Sequence, residues 1–167
     1  MFATARNVAA LSDLIASPLA VEAARLDVTD AYQVDAAIDL AERKFGRIDV
    51  LVNCAGYARL GAIEETTDAE SRHQFDVNYF GLLNVVRAAL PLMRKQGGGH
   101  IVNFSSLGGL VATAGAANYC ASKFAVEAVS EALAAELAPF GIKVMAGRAG
   151  RFQDRIQRRI EDFSRHA

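Results

Sequence analysis

Tyr119 and Lys123 stand four residues apart in the stretch ANYCASKF, which spans residues 117–124. Four residues make about one helical turn, so in a helix the phenol and the ammonium project from the same face. A free tyrosine has a pKa of about 10, and a cation one turn away favours its ionised form. Such a pair can exchange a proton with an alcohol or a carbonyl compound. Because this spacing also arises by chance, the pair must be weighed with the rest of the chain.

The composition is that of a globular protein with one hydrophobic core. The chain has 167 residues, of which 52% are hydrophobic and 22% are charged, and its formal net charge is −1. This length suits a single domain, and no apolar run approaches the roughly 20 residues that would cross a bilayer. We therefore expect neither a membrane nor a nucleic acid as a partner. Six arginines between Arg148 and Arg165 are interpreted as a solvated helical tail in preference to a binding patch.

The metal-ligating and thiol side chains are few and scattered. The chain has two cysteines, Cys54 and Cys120, and three histidines, without the spacing of a zinc site or a disulfide framework. We therefore predict no metal site. Free cysteines suit a reducing compartment, and the start of the chain lacks the pattern of a signal peptide, so a cytoplasmic location is expected.

Five short β-prone runs alternate with helix-length amphipathic stretches. The runs lie at residues 1–5, 21–28, 48–53, 100–105 and 142–146. Helices are predicted over residues 29–45 and 118–138. Between them, a capping box formed by Thr67 and Glu70 predicts the start of a long helix, which should bend or end near Pro91. This alternation predicts right-handed βαβ units, with a parallel sheet covered by helices on both faces. The apolar strand VLVN, residues 50–53, is accordingly expected to be buried from both sides.

Ligands of such sheets bind beyond the carboxyl ends of the strands. Asn53, Ser105 and Ser106 fall at that edge, so chemistry is expected there. A serine hydrolase would need the sequence GxSxG, whereas Phe104 stands two residues before Ser106. We therefore set a hydrolase aside.

Several ordered motifs resemble those of the classical short-chain dehydrogenase/reductase family. They cover most of the chain, in the family's order: LDVTD at 26–30, NCAG at 53–56, DVNYFG at 76–81, IVNFSSLGG at 101–109 and YCASK at 119–123. Each motif alone is weak, but the ordered set is specific. The resemblance implies an α/β fold with a Rossmann-like, doubly wound parallel sheet. It also implies an NAD(P)-dependent oxidoreductase that transfers hydride between the cofactor and an alcohol or carbonyl substrate.

The resemblance assigns catalytic roles residue by residue. Tyr119 matches the family's acid/base, and Lys123 matches the lysine that assists it and binds the nicotinamide ribose. Ser106 matches the serine that hydrogen-bonds the reacting oxygen, with Ser105 as the less favoured neighbour. Asn78 matches a helix asparagine that holds a water for proton relay; its alternative interpretation is a buried polar residue that satisfies backbone groups.

Cofactor contacts are implied in the same way. Asp27 and Val28 match positions at the adenine, whereas the loop at the adenosine ribose is matched by Asn53, Ala55 and Gly56. Gly56 is also open to a structural interpretation as a turn residue. Arg6 follows the first strand, at a position where a basic side chain suits the 2′-phosphate of NADP. The neighbouring Ala5 has no carboxylate to bind the ribose hydroxyls of NAD, so we prefer NADP as the cofactor.

Two departures from the family pattern bear on function. None of the 13 glycines forms the TGxxxGxG loop that would hold the pyrophosphate, and no Pro-Gly pair follows GIKV. We therefore expect the sheet to be incomplete, without the first strand, its glycine-rich loop and the C-terminal substrate region. The expected division is a partial Rossmann-like domain over 1–146 and an atypical basic tail over 147–167.

Two hypotheses remain open from the sequence. The first is an active oxidoreductase, and the resemblance also implies a homo-oligomer formed through helices. The second is a truncated, inactive relative, or a module that associates through its helices and binds no cofactor. The identity of the substrate is not encoded in any motif of the chain.

Overall fold

Parallel strands form the centre of the structure, a computed structural model that describes residues 1–18 and 20–149. The strands are β1 (Phe2–Ala5), β2 (Glu22–Arg25), β3 (Val50–Asn53), β4 (Gly99–Ser106) and β5 (Ile142–Ala149). Strand β1 pairs with β2, and β3, β4 and β5 form a three-stranded sheet in that order. Every pairing is parallel. The predicted parallel α/β fold, with an incomplete sheet, is therefore confirmed.

Five helices connect these strands, and their ends follow local capping rules. They are α1 (Ser12–Ile15), α2 (Ala31–Phe45), α3 (Asp68–Phe75), α4 (Gly81–Lys95) and α5 (Ala117–Leu137). Asp30 caps α2 by accepting hydrogen bonds from two backbone amides, and Gly46 ends that helix with a left-handed φ of 71°. The predicted capping box of Thr67 and Glu70 is present at the start of α3.

A π-helical turn, Asp76–Phe80, joins α3 to α4. The helix then continues past Pro91 to Lys95, so it does not end at the proline, and the alternative that the sequence predicted, a bend near Pro91, stays a prediction. Proline inside a helix costs about 3 kcal/mol. Burial of Leu92 and Met93 directly after it recovers an amount of the same order, about 1.5–3 kcal/mol for each side chain.

The core lies between the three-stranded sheet and helices α4 and α5. It contains buried side chains of both helices together with Ile101 of β4 and Ile142 of β5. Leu51 of β3 packs against this core, but its neighbours Val50 and Val52 are 42% and 39% exposed. Successive strand residues point to opposite faces. The expectation that this strand is buried from both sides is therefore wrong for the described residues, because the core covers only the face that carries Leu51.

The predicted division of the chain falls within a strand. Strand β5 continues through residue 147, and Arg148 forms an ion pair with Glu127 of α5 at 2.9 Å. The rest of the predicted basic tail, residues 150–167, lies outside the described residues. The division at residue 147 therefore stays a prediction.

Candidate active site

The carboxyl ends of β3 and β4 bring two polar segments to one edge of the sheet. Asn53 is paired in register with Asn103, and β4 ends three residues later at Ser106. Helix α5, which carries Tyr119 and Lys123, packs against β4 and β5. The fold therefore brings together the strand ends and the helix on which the sequence predicted chemistry.

Tyr119 and Lys123 lie in different surroundings although they are one helical turn apart. Tyr119 is half-buried and lines an open cleft, and its hydroxyl has no hydrogen-bond partner within residues 1–18 and 20–149. Lys123 is only 6% exposed, and its Nζ donates a hydrogen bond to the Phe104 carbonyl oxygen at 2.8 Å. The tyrosine can therefore meet a ligand, while the lysine is held inside the protein.

Burial shifts the pKa of the Lys123 ammonium below its ordinary value. Removal from water disfavours the charged amine. The nearby Cys54, in its thiolate form, acts in the opposite direction and is the smaller effect. Within residues 1–18 and 20–149 this ammonium makes one hydrogen bond, so it has further N–H donors that a ligand could engage.

The lowered pKa predicts that Lys123 weakens the fold most at pH values below its folded pKa. Between the folded pKa and the value of about 10.4 of a free lysine, the unfolded chain binds more protons, so the contribution of Lys123 to stability rises with pH. Replacing Lys123 with methionine should stabilise the protein relative to wild type, by an amount that shrinks as pH rises towards that value. Urea unfolding over this pH range measures the difference. A stability difference between Lys123→Met and wild type that stays constant with pH would contradict the prediction.

The two serines at the end of β4 differ in access. Ser105 is buried, and its hydroxyl donates to the Lys123 carbonyl oxygen at 3.4 Å. Ser106 is half-buried, and its Oγ accepts a hydrogen bond from the Gly108 amide at 3.2 Å, which leaves its own proton available. Of the two hydroxyls, that of Ser106 is the one able to donate to a ligand.

Asn78 lies in the π turn and ties three parts of the site together. Its Oδ1 accepts from the Tyr57 amide at 2.9 Å, and its Nδ2 donates to the Tyr57 carbonyl and to Ser122 Oγ, both at 3.0 Å. Ser122 in turn donates to the Tyr119 carbonyl at 2.7 Å. Both amide protons of Asn78 are thus used within the protein, and the side chain connects the loop after β3 to the helix turn of Tyr119.

Gly56 is a point of close approach between that loop and two candidate catalytic residues. A Cβ atom at this position would lie 3.1 Å from Asn78 Oδ1 and 3.4 Å from Lys123 Nζ. The adjacent Ala55 is exposed. A side chain at position 56 would crowd both groups, so here a missing side chain, and not an unusual turn, explains the glycine.

Asn53 belongs to a chain of buried hydrogen bonds that the sequence did not reveal. Its Nδ2 donates to Asn103 Oδ1 at 2.9 Å, and the Asn103 amide donates to Ser130 Oγ at 2.9 Å. The signal for Asn103 was its position as a polar residue within the apolar strand IVNF. Its partner on α5 lies 27 residues away in sequence, so no local pattern pointed to it.

The residues matched to the adenine end form a second group, at the ends of β1 and β2. The Asp27 carboxylate accepts two hydrogen bonds from Thr29, which lower the pKa of Asp27, and the nearby Arg6 acts in the same direction. The Val28 carbonyl accepts from Asn84 of α4 at 3.1 Å, while Arg6 is exposed. In the described part of the chain, no hydrogen bond or ion pair joins this group to Tyr119 or Lys123.

Residues 1–18 and 20–149 contain no cluster of three or more His, Cys, Asp or Glu side chains able to hold a metal ion. No helix described in the structure has the length and apolarity needed to span a membrane.

Comparison with known proteins identifies relatives across most of the chain. The sequence profile described as short chain dehydrogenase matches residues 1–164. A 3-ketodihydrosphingosine reductase of Bacteroides thetaiotaomicron is 45% identical over 127 residues, which are 76% of this chain and 47% of that protein. Oxidoreductase BOA17 of Botryotinia fuckeliana is 44% identical over 71% of this chain and 43% of its own length. The chain thus spans about half the length of the curated relatives it matches.

Solved structures agree with these sequence relatives. A short-chain dehydrogenase from Streptomyces avermitilis superposes with a TM-score of 0.83 at 47% identity, over 88% of this chain and 55% of that one. A gluconate 5-dehydrogenase from Burkholderia cenocepacia, in complex with NADP and tartrate, gives a TM-score of 0.80 at 30% identity. That alignment covers 87% of this chain and 58% of the other.

Proposed function

The chain belongs to the short-chain dehydrogenase family of oxidoreductases, and we propose that its site transfers hydride between NADP and an alcohol or carbonyl substrate. One observation carries this proposal. The Tyr119 hydroxyl opens into a cleft without a partner among the described residues, one helical turn from a buried lysine. A phenol placed in this way is suited to proton exchange with a ligand.

In the direction of reduction, the chain's own residues manage the proton. Tyr119 donates its phenolic proton to the carbonyl oxygen, and the Ser106 hydroxyl donates a hydrogen bond to the same oxygen as negative charge develops there. The Lys123 ammonium favours the phenolate that remains. Asn78 positions Tyr119 through Ser122, and the proton-relay role implied for Asn78 remains a proposal. NADPH, when bound, supplies the hydride to the carbonyl carbon.

The described residues offer groups for the nicotinamide and adenosine ends of a dinucleotide, which supports the proposed cofactor. Lys123 and Tyr119 would serve the nicotinamide ribose, Gly56 with Ala55 and Asn53 the adenosine ribose, and Asp27 with Val28 the adenine. The narrow approach at Gly56 supports a ligand that passes close to the backbone there. The exposed guanidinium of Arg6 supports NADP over NAD. The NADP complex of the Burkholderia relative is consistent with this choice.

Titration with NADPH, followed by nicotinamide fluorescence, tests cofactor binding directly. We expect saturable binding and oxidation of NADPH in the presence of a carbonyl compound. The absence of a saturable response up to millimolar NADPH would overturn the proposal and would favour a catalytically inactive relative.

Arg6→Gln tests the choice of NADP. Removing a charge-assisted contact to the 2′-phosphate should weaken NADPH binding roughly 10- to 100-fold and leave NADH binding unchanged. Arg43→Gln, which alters another exposed arginine at the end of α2, is the matched control and should bind NADPH as wild type does. Equal losses for NADPH and NADH in Arg6→Gln would contradict the 2′-phosphate assignment.

Self-association is part of the same proposal. The exposed side chains of helix α5 include Ala128, Ala132 and Ala135, which follow one another at helical spacing. Small exposed side chains allow a second helix to approach closely, so we propose a homo-oligomer that uses this face. Sedimentation of the purified chain would measure its oligomeric state.

A further inference from the structure

An apolar cleft lies directly at the candidate acid/base. Its volume is about 620 Å³, within the usual range of small-molecule sites. The walls come from the loop after β3, from the segment between β4 and α5, and from the first turn of α5 with Tyr119. No Asp, Glu, Lys, Arg or His side chain lines it among the described residues.

Large aliphatic side chains form the exposed wall of this cleft. Leu60, Leu107, Leu110 and Val111 all line it, and each is exposed. Aliphatic groups gathered around one concave surface favour an apolar ligand, because each buried methylene contributes about 0.8 kcal/mol. A carboxylate, a phosphate or a polyhydroxylated chain would lose hydrogen bonds to water on entering the cleft. The aliphatic wall offers few hydrogen bonds to replace them, so such groups would bind at a net cost in free energy.

We infer that the substrate is an uncharged, apolar ketone or secondary alcohol with a hydrocarbon substituent several carbons long. This inference rests on the proposed function, since Tyr119, the proposed acid/base, is one of the residues that line the cleft. The hydrocarbon substituent then lies along the aliphatic wall. A polar or charged group on this substituent would face aliphatic side chains such as Leu107 and Val111, which offer it no hydrogen bond.

Ligand-observed NMR on the full chain, without cofactor, tests recognition separately from catalysis. In the series from methyl ethyl ketone to methyl hexyl ketone, the dissociation constant should fall about two- to fourfold for each added methylene. A methyl keto acid with the same carbon count as methyl hexyl ketone should bind at least tenfold more weakly. Binding that does not depend on chain length, or a preference for the keto acid, would overturn the inference.

A pair of surface substitutions locates the binding site. Val111 lines the cleft and is 67% exposed, whereas Ile63 lies outside the cleft lining and is 64% exposed. Val111→Asp should weaken methyl hexyl ketone binding at least tenfold, and Ile63→Asp should leave it unchanged. Both side chains are largely solvated, so neither change should impair folding. Equal effects of the two substitutions would show that the ketone binds elsewhere and would overturn the assignment.

Turnover with NADPH separates this inference from the proposed function. Methyl hexyl ketone that binds in the cleft but is not reduced would contradict the proposed function and leave apolar recognition standing. Reduction of a charged or polyhydroxylated carbonyl compound, without binding of methyl hexyl ketone, would uphold the oxidoreductase and overturn the apolar substrate class. If a second copy of the chain covers the cleft, ketone binding should be lost when the chain self-associates. That result would also overturn the inference of an apolar substrate.

Discussion

Replacing Tyr119 with phenylalanine is expected to slow hydride transfer roughly 10²- to 10⁴-fold, the usual contribution of a positioned acid/base group. The substitution removes only the hydroxyl, so the ring still lines the cleft and the Ser122 contact to the backbone of residue 119 remains. The rate of NADPH oxidation with a saturating ketone measures the effect. Ligand binding and thermal unfolding should stay close to wild type.

Tyr32→Phe is the matched control for this change. Tyr32 lies on α2 and is 89% exposed, so loss of its hydroxyl should leave turnover unchanged. Wild-type turnover by Tyr119→Phe would contradict the role assigned to Tyr119, and equal losses in the two variants would point to a general effect of the substitution.

Asn78→Leu is expected to lower the free energy of unfolding by about 2–4 kcal/mol, since it removes three hydrogen bonds and leaves the part-buried Tyr57 amide without a partner among the described residues. The leucine has a similar volume but cannot accept from the Tyr57 amide or donate to the Tyr57 carbonyl and Ser122. Turnover should fall as well, because the loop with Gly56 and the turn with Tyr119 lose their shared anchor. Urea unfolding measures the stability, and initial rates with NADPH measure the activity.

Asn84→Leu provides a comparison on the adjoining helix. Asn84 is half-buried, and its side chain makes one hydrogen bond in the described part of the chain, to the Val28 carbonyl, so its replacement should cost about 1 kcal/mol. A loss in Asn78→Leu no larger than in Asn84→Leu would contradict the anchoring role of Asn78.

The order of strands and helices could be predicted from the sequence because it depends on interactions between residues that are close together in the chain. The predicted capping box that begins at Thr67 acts over three residues, and it is present. The helix through Pro91 could not be predicted in the same way, since its continuation depends on burial of Leu92 and Met93 in the core. The π turn around Asn78 and the exposed face of β3 likewise depend on how helices and strands pack.

The sequence by itself determined the family, the parallel α/β architecture and the pairing of Tyr119 with Lys123 on one helix face, because these follow from motif order and helical periodicity. Tertiary structure decided what each polar group faces. It left the Tyr119 hydroxyl open to the cleft and buried Lys123, and it separated the accessible Ser106 from the buried Ser105. It also placed the Asn78 side chain in hydrogen bonds with Tyr57 and Ser122, which lie 21 and 44 residues away in the chain. Burial and hydrogen bonding join residues distant in sequence, so only the packed chain fixes which side chains can meet a ligand.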